Sequence, residues 1–90
     1  MREHGSPLGL ARPGFRGRVR KVAVTADVEG LTAAELERRL LEIGFLEGAA
    51  VEVLHEGPLG RDPIAIRLND ARVALRRREA MAVFVTEEAQ

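Results

Sequence analysis

The stretch "LTAAELERRLLEIGF", residues 31–45, carries start and stop signals for one helix. Thr32 and Glu35 make a T-x-x-E capping box, and Leu31 with Leu36 makes the hydrophobic staple around it. These signals predict a helix over about 33–43. Gly44 stands where a left-handed C-terminal residue is wanted, and Phe45 follows it, so a Schellman ending would fold Phe45 back on Leu40. Leu36, Leu40 and Ile43 recur at i, i+4, i+7 and form the expected buried stripe. Leu41 lies off that stripe by about 100° of helix rotation.

Outside this helix the apolar period is two, the signature of strands. "FRGRVRKVAV" (15–24) places Arg16, Arg18 and Arg20 on one face and Val19 on the other, but Val22 and Val24 share the parity of the arginines. A bulge or bend near Arg20–Lys21 reconciles the two halves. "AAVEVLHEG" (49–57) alternates Val51, Val53 and His55 against Glu52, Leu54 and Glu56. "PLGRDP" (58–63) is turn-rich, and "IAIRL" (64–68) puts Ile64, Ile66 and Leu68 on one face. "ND" (69–70) makes a tight turn into "ARVAL" (71–75), with Val73 and Leu75 inward. "RRREA" (76–80) reads as a brief helical corner and "MAVFVT" (81–86) as the closing strand. Residues 1–12 read as an N-terminal arm anchored by Leu8 and Leu10, followed by a single domain over 13–90. About five short strands with one helix between the first and second give a mainly β fold, a small closed or partly open barrel. With three Phe, no Trp and no Tyr, Val, Ile and Leu must fill it.

Ninety residues suit one small domain that buries about 60% of the surface its unfolded chain exposes. There is no cysteine, so no disulfide or thiolate metal site can staple the fold. No apolar run has the length of a membrane span, and the N-terminus lacks the apolar core of a signal peptide, which leads us to expect a cytoplasmic location. Net charge is zero, yet arginines crowd the first stretch (Arg12, Arg16, Arg18, Arg20) and the stretch from Arg72 to Arg78, while Glu dominates the middle. The simplest expectation is a self-neutralising surface; the sharper one is an electrostatic docking face.

The chemistry of catalysis is missing from the pattern. The one serine, Ser6, sits in the arm, and nucleophilic catalysis needs a nucleophile beside an oriented base. The glycines at 57 and 60 are not followed by the Lys-Ser/Thr pair of a phosphate-binding loop. His4 and His55 are the two imidazoles, and adjacent His55 and Glu56 point to opposite strand faces. No catalytic residue, metal ligand set or cofactor is expected. Arg16, Arg18 and Arg20 could meet phosphates, but a neutral chain without Trp or Tyr has no stacking platform, so no nucleic-acid partner is expected either.

Four segments, "PLGLARPGFRGRV" (7–19), "RRLLEIGFLEGAAVEVL" (38–54), "GPLGRDPIAIRL" (57–68) and "RVALRRREAMAVFV" (72–85), occur in the order and content seen in the FeoA family, which the chain resembles. The resemblance implies an SH3-like β-barrel with an inserted helix. It also implies a non-enzymatic, cytosolic accessory role in ferrous iron uptake beside FeoB, a membrane permease with a cytosolic GTP-binding domain. The partner would be the GTP-binding domain or the membrane part of FeoB, with the membrane reached only through that partner. The same fold forms the C-terminal domain of iron-dependent repressors. An SH3-like regulatory domain of that kind, or a small-barrel nucleic-acid binder, is therefore the alternative.

Leu41 and Leu46 are left over once the core stripe is filled. With Arg38, Arg39, Glu42 and Glu47 around them they form a rimmed apolar patch of the kind that marks protein interfaces. Phe45 is expected half-buried at the helix end. The expected partner-binding set is thus Arg38, Arg39, Leu41, Glu42, Phe45 and Leu46; the patch would serve self-association equally well. The loop "GPLGRDP" (57–63) is a second exposed shape of interest.

Overall fold

The structure, a computed structural model, describes residues 5–88. Its elements are β1 (Ser6–Pro7), a 3-10 turn (Leu8–Leu10), β2 (Arg16–Val22), α1 (Ala33–Ile43), β3 (Ala50–Leu59), β4 (Asp62–Leu68), β5 (Ala71–Leu75), α2 (Arg77–Ala80) and β6 (Val83–Glu87). All strands pair antiparallel in one six-stranded sheet of order β1-β6-β2-β3-β4-β5. The two outer strands, β1 and β5, do not pair with each other, so the hydrogen-bonded sheet stays open along one seam.

The expected strands and helix are present, with one strand more than the pattern announced. β1 is only two residues long, too short for any period to show. It pairs Ser6 with Val85 and Pro7 with Phe84. Of the two expected anchors of segment 1–12, Leu8 is fully buried, whereas Leu10 stands 65% exposed. Arg2 and His4, with the start of that segment, lie outside the described residues.

Irregularities in the ladders decide where side chains point. The β2–β6 register shifts between Val19 and Lys21, so Val19 is buried and Val22 still turns inward. That is the bend expected near Arg20–Lys21. A second shift, between Val53 and His55, was not legible. Simple alternation carries His55 inward with Val51 and Val53; the bulge at Leu54 turns it out, and His55 is exposed.

The core is a single apolar cluster that includes Val19, Leu36, Leu40, Phe45, Ile64 and Ile66, and no polar or charged side chain among the described residues is buried. The stripe on α1 needs one correction. Leu36 and Leu40 are buried, but Ile43 is 38% exposed and Phe45 is fully buried rather than half-buried. The reason lies in the helix ending: Gly44 adopts φ 125°, the chain reverses, and Phe45 takes the core position that straight continuation of the helix would have offered Ile43.

Candidate docking site

The first turn of α1 is secured by side chains. The Thr32 hydroxyl oxygen accepts from the Glu35 N–H at 3.1 Å, and Glu35 Oε1 accepts from the Thr32 N–H at 2.8 Å. Asp27 Oδ1 accepts from the Ala33 N–H at 3.0 Å. Three of the four N–H groups that a helix start leaves without intrahelical partners are thereby satisfied. The bond from the Thr32 N–H, and after it the one with the Thr32 hydroxyl, holds the Glu35 carboxyl below its ordinary pKa.

The other end is fixed by backbone bonds. The Phe45 N–H donates to the Leu40 carbonyl at 3.1 Å and the Gly44 N–H to that of Leu41 at 3.1 Å, the bond pair of a Schellman ending. Beyond it, the Ala49 N–H donates to the Leu46 carbonyl, and the Gly48 N–H donates to the Val19 carbonyl on β2 at 2.8 Å. Arg18 Nη1 adds a bond to the Gly48 carbonyl at 3.1 Å. Leu46, 56% exposed, is thus held out on a turn tied at both sides.

Between these ends α1 offers a shallow depression lined by Ala34, Glu37, Arg38, Leu41 and Glu42, with Leu41 38% exposed. Of the expected set, Arg38, Leu41 and Glu42 come together here, and Leu46 lies just past the helix end. Arg39 is rotated about 100° from Arg38 and belongs to the flank that carries Ile43. Phe45 cannot offer its ring to a partner, since it is fully buried; its part is to hold the turn that presents Leu46. Ala34 and Glu37 complete the face and were missed. The available signal was helical spacing: Ala34 stands four residues before Arg38 and seven before Leu41, and Glu37 four before Leu41.

A different residue organises the opposite end of the sheet. Arg77 reads in sequence as one of four surface arginines, yet its side chain is only 18% exposed. Its guanidinium donates to the carbonyls of Gly9 (2.9 Å), Ala11 (2.8 Å) and Arg61 (2.8 Å) and to Glu56 Oε1 (2.7 Å), while its backbone N–H donates to Asp62 Oδ1 (2.8 Å). The 3-10 turn, the β3–β4 hairpin and α2 are joined by this one side chain. The loop expected as a second exposed shape is the tip of that hairpin, a two-residue turn with positive φ at both Gly60 and Arg61. The remaining charges also mix: Arg78 and Arg76 reach Glu29 at 3.0 and 3.8 Å, and Arg18 reaches Glu88 at 3.1 Å. Among the described residues no group of three His, Asp or Glu side chains is placed to hold a metal ion, and no helix is long and apolar enough to cross a membrane.

The model of the FeoA domain matches residues 6–87. The chain belongs to the FeoA family. It is 40% identical over 63 residues, 70% of its length, to a Fe(2+) transport protein A/Fe(2+) transporter FeoB fusion protein of Porphyromonas gingivalis, of whose length that match spans 7%. Among solved structures, it resembles the zinc-complexed FeoA of Stenotrophomonas maltophilia, described as an SH3 domain protein, with TM-score 0.67 and 32% identity over 87% of this chain and 86% of that one. A manganese-dependent transcriptional repressor shares the fold, with TM-score 0.69 at 21% identity over 91% of this chain and 41% of the repressor. The six-stranded FeoA sheet is therefore SH3-like, and its family is associated with ferrous iron transport.

Proposed function

We propose that this FeoA protein is a non-enzymatic, cytosolic accessory that docks on a FeoB-type ferrous iron transporter and modulates it, with the α1 face and the turn after it as the contact. The observation that carries the reading is the state of Leu41 and Leu46. Both are exposed on backbone whose hydrogen bonds are already complete, so the surface is rigid before any partner arrives, and little ordering entropy opposes binding. Arg38, Glu37 and Glu42 supply a charged rim around the apolar centre, the usual anatomy of an interface.

The Porphyromonas gingivalis fusion supports the choice of partner. A FeoA-like segment joined to a FeoB transporter in one chain is held at high effective concentration, an arrangement that favours a contact too weak to persist between separate chains. Calorimetric titration of this protein into its full-length FeoB, with GDP and with a GTP analogue, tests the proposal. The expected result is saturable binding whose strength differs between the two nucleotides. No heat in either state would move the α1 face out of the account.

A further inference from the structure

The sheet has two outer edges, and they differ. β1 is two residues long and ends in Pro7, a common means of blunting an edge. β5 carries no such protection. Its five residues hold no proline, its register with β4 runs unbroken from Ala71 to Leu75, and Ala71, Arg72 and Ala74 are exposed.

The ladders fix the direction of each amide on that edge. The Asn69 N–H donates to the Ala50 carbonyl on β3 at 2.8 Å. Alternate positions before Asn69 therefore face β3, while Leu68, Ile66 and Ile64 turn their main-chain groups toward β5. Their partners there are Ala71, Val73 and Leu75. The N–H and C=O groups of Arg72 and Ala74 thus point away from β4, and no hydrogen bond reaches them among the described residues.

We propose that this edge pairs with the same edge of a second copy, β5 against β5 in the antiparallel sense, about a twofold axis at Val73. Arg72 and Ala74 of one copy then exchange main-chain bonds with Ala74 and Arg72 of the other. The two Val73 side chains, each partly buried in the single chain, meet at the closer, non-hydrogen-bonded position. Two neighbouring registers obey the same amide directions, and charge rejects both. Centring on Arg72 sets that guanidinium directly against its own copy, and centring on Ala74 sets it against Arg76. The register centred on Val73 leaves Arg72 opposite Ala74 and brings Asp70 across from Arg76, whose extended backbone (φ −71°, ψ 145°) continues the strand. The two Arg72 side chains become diagonal neighbours on the solvent face, where their length lets them turn out into water. Asp70 has no ion pair among the described residues, and Arg76 has one long contact, 3.8 Å to Glu29. The edge is complementary to itself, which selects a second copy over an unrelated strand. Twofold pairing uses both β5 edges and closes, and a net charge of zero leaves no long-range repulsion between copies. The contact is small, so the dimer is weak and concentration-dependent.

The test is sedimentation equilibrium of the full chain at concentrations up to about 1 mM, with amide hydrogen exchange on the same samples. A monomer–dimer equilibrium is expected, in which the Arg72 and Ala74 amides exchange more slowly as concentration rises. Ala74→Pro removes an amide that points outward and spares the β4 ladder, and should weaken the dimer more than about tenfold. Asp70→Arg and Arg76→Asp should each weaken it about fivefold alone. Mixing those two variants should restore it, because each copy then offers the charge the other lacks, a result that misfolded chains could not give. Leu41→Asp, on α1, should leave the dimer unaltered, which separates this edge from the FeoB contact. The proposal is overturned by a chain that stays monomeric throughout, by a dimer indifferent to Ala74→Pro, or by a mixture no tighter than the single variants. A dimer abolished by Leu41→Asp would assign the contact to α1 and overturn it equally.

Discussion

The two ends of the sheet are closed by opposite means. At the α1–β3 turn, an apolar side chain, Phe45, is driven fully inside and the backbone bonds to itself over a few residues. At the other end a charged side chain, Arg77, is drawn in and bonds carbonyls 68, 66 and 16 residues away. Residue polarity alone would have sent Phe45 inside and Arg77 out. The difference shows that a guanidinium goes inside where enough fixed acceptors converge on it, because each bond to a charged donor is stronger than its neutral counterpart. Conversely, Leu41 and Ile43 stay half-exposed because the core positions near them are taken.

Removing the apolar key should have the largest effect. Phe45→Ala is expected to lower stability by about 4 kcal/mol, a large part of what a domain of this size possesses, and chemical denaturation would read it directly. A loss below 1 kcal/mol would show that the turn is held by its backbone bonds alone. Removing the charged key comes next. Arg77→Met leaves the Gly9, Ala11 and Arg61 carbonyls and the Glu56 carboxylate without their donor, and a loss of about 3 kcal/mol is expected, somewhat reduced by the solvent that reaches the site. Hydrogen exchange should quicken first around the 3-10 turn. Arg77→Lys should not restore stability, since an ammonium cannot reach the same fork of acceptors.

A smaller effect is expected at the helix cap. Thr32→Ala should cost about 1 kcal/mol. It should also change the acid limb of the stability curve. Glu35 has a folded pKa below its ordinary value, so its contribution is fully present above that unfolded value and is lost as pH falls through the folded one. Without the Thr32 hydroxyl the shift shrinks, and the decline of stability in that acid window should become shallower. Urea midpoints measured across it, for both proteins, would show the difference.

The same contrast explains what the sequence could and could not reveal. The helix, its capping box and its Gly44 ending depend on residues within five positions of one another, and those signals sit in the chain in plain order. The bend in β2 was legible because Val19 and Val22 disagree in parity. The bulge at Leu54 was not: alternation runs cleanly through His55, and only pairing with Ala65 on β4 reveals the extra residue. Arg77 was illegible for a related reason, since carbonyls leave no mark in sequence and its acceptors are distant. The proposed docking face was half-legible. Arg38, Leu41 and Glu42 follow from helical spacing, but the fate of Phe45 and Ile43 depended on how sharply the chain turned after Gly44.

The smallest expected change in stability is also the most informative for function. Leu41→Asp should be examined with calorimetric binding to FeoB and a melting curve in the same preparation. The predicted result is loss of binding with the melting temperature within about 3 °C of the unaltered protein, as for an exposed side chain. Binding that survives the substitution, or a fold that collapses because of it, would contradict the claim that α1 presents a finished surface to a partner.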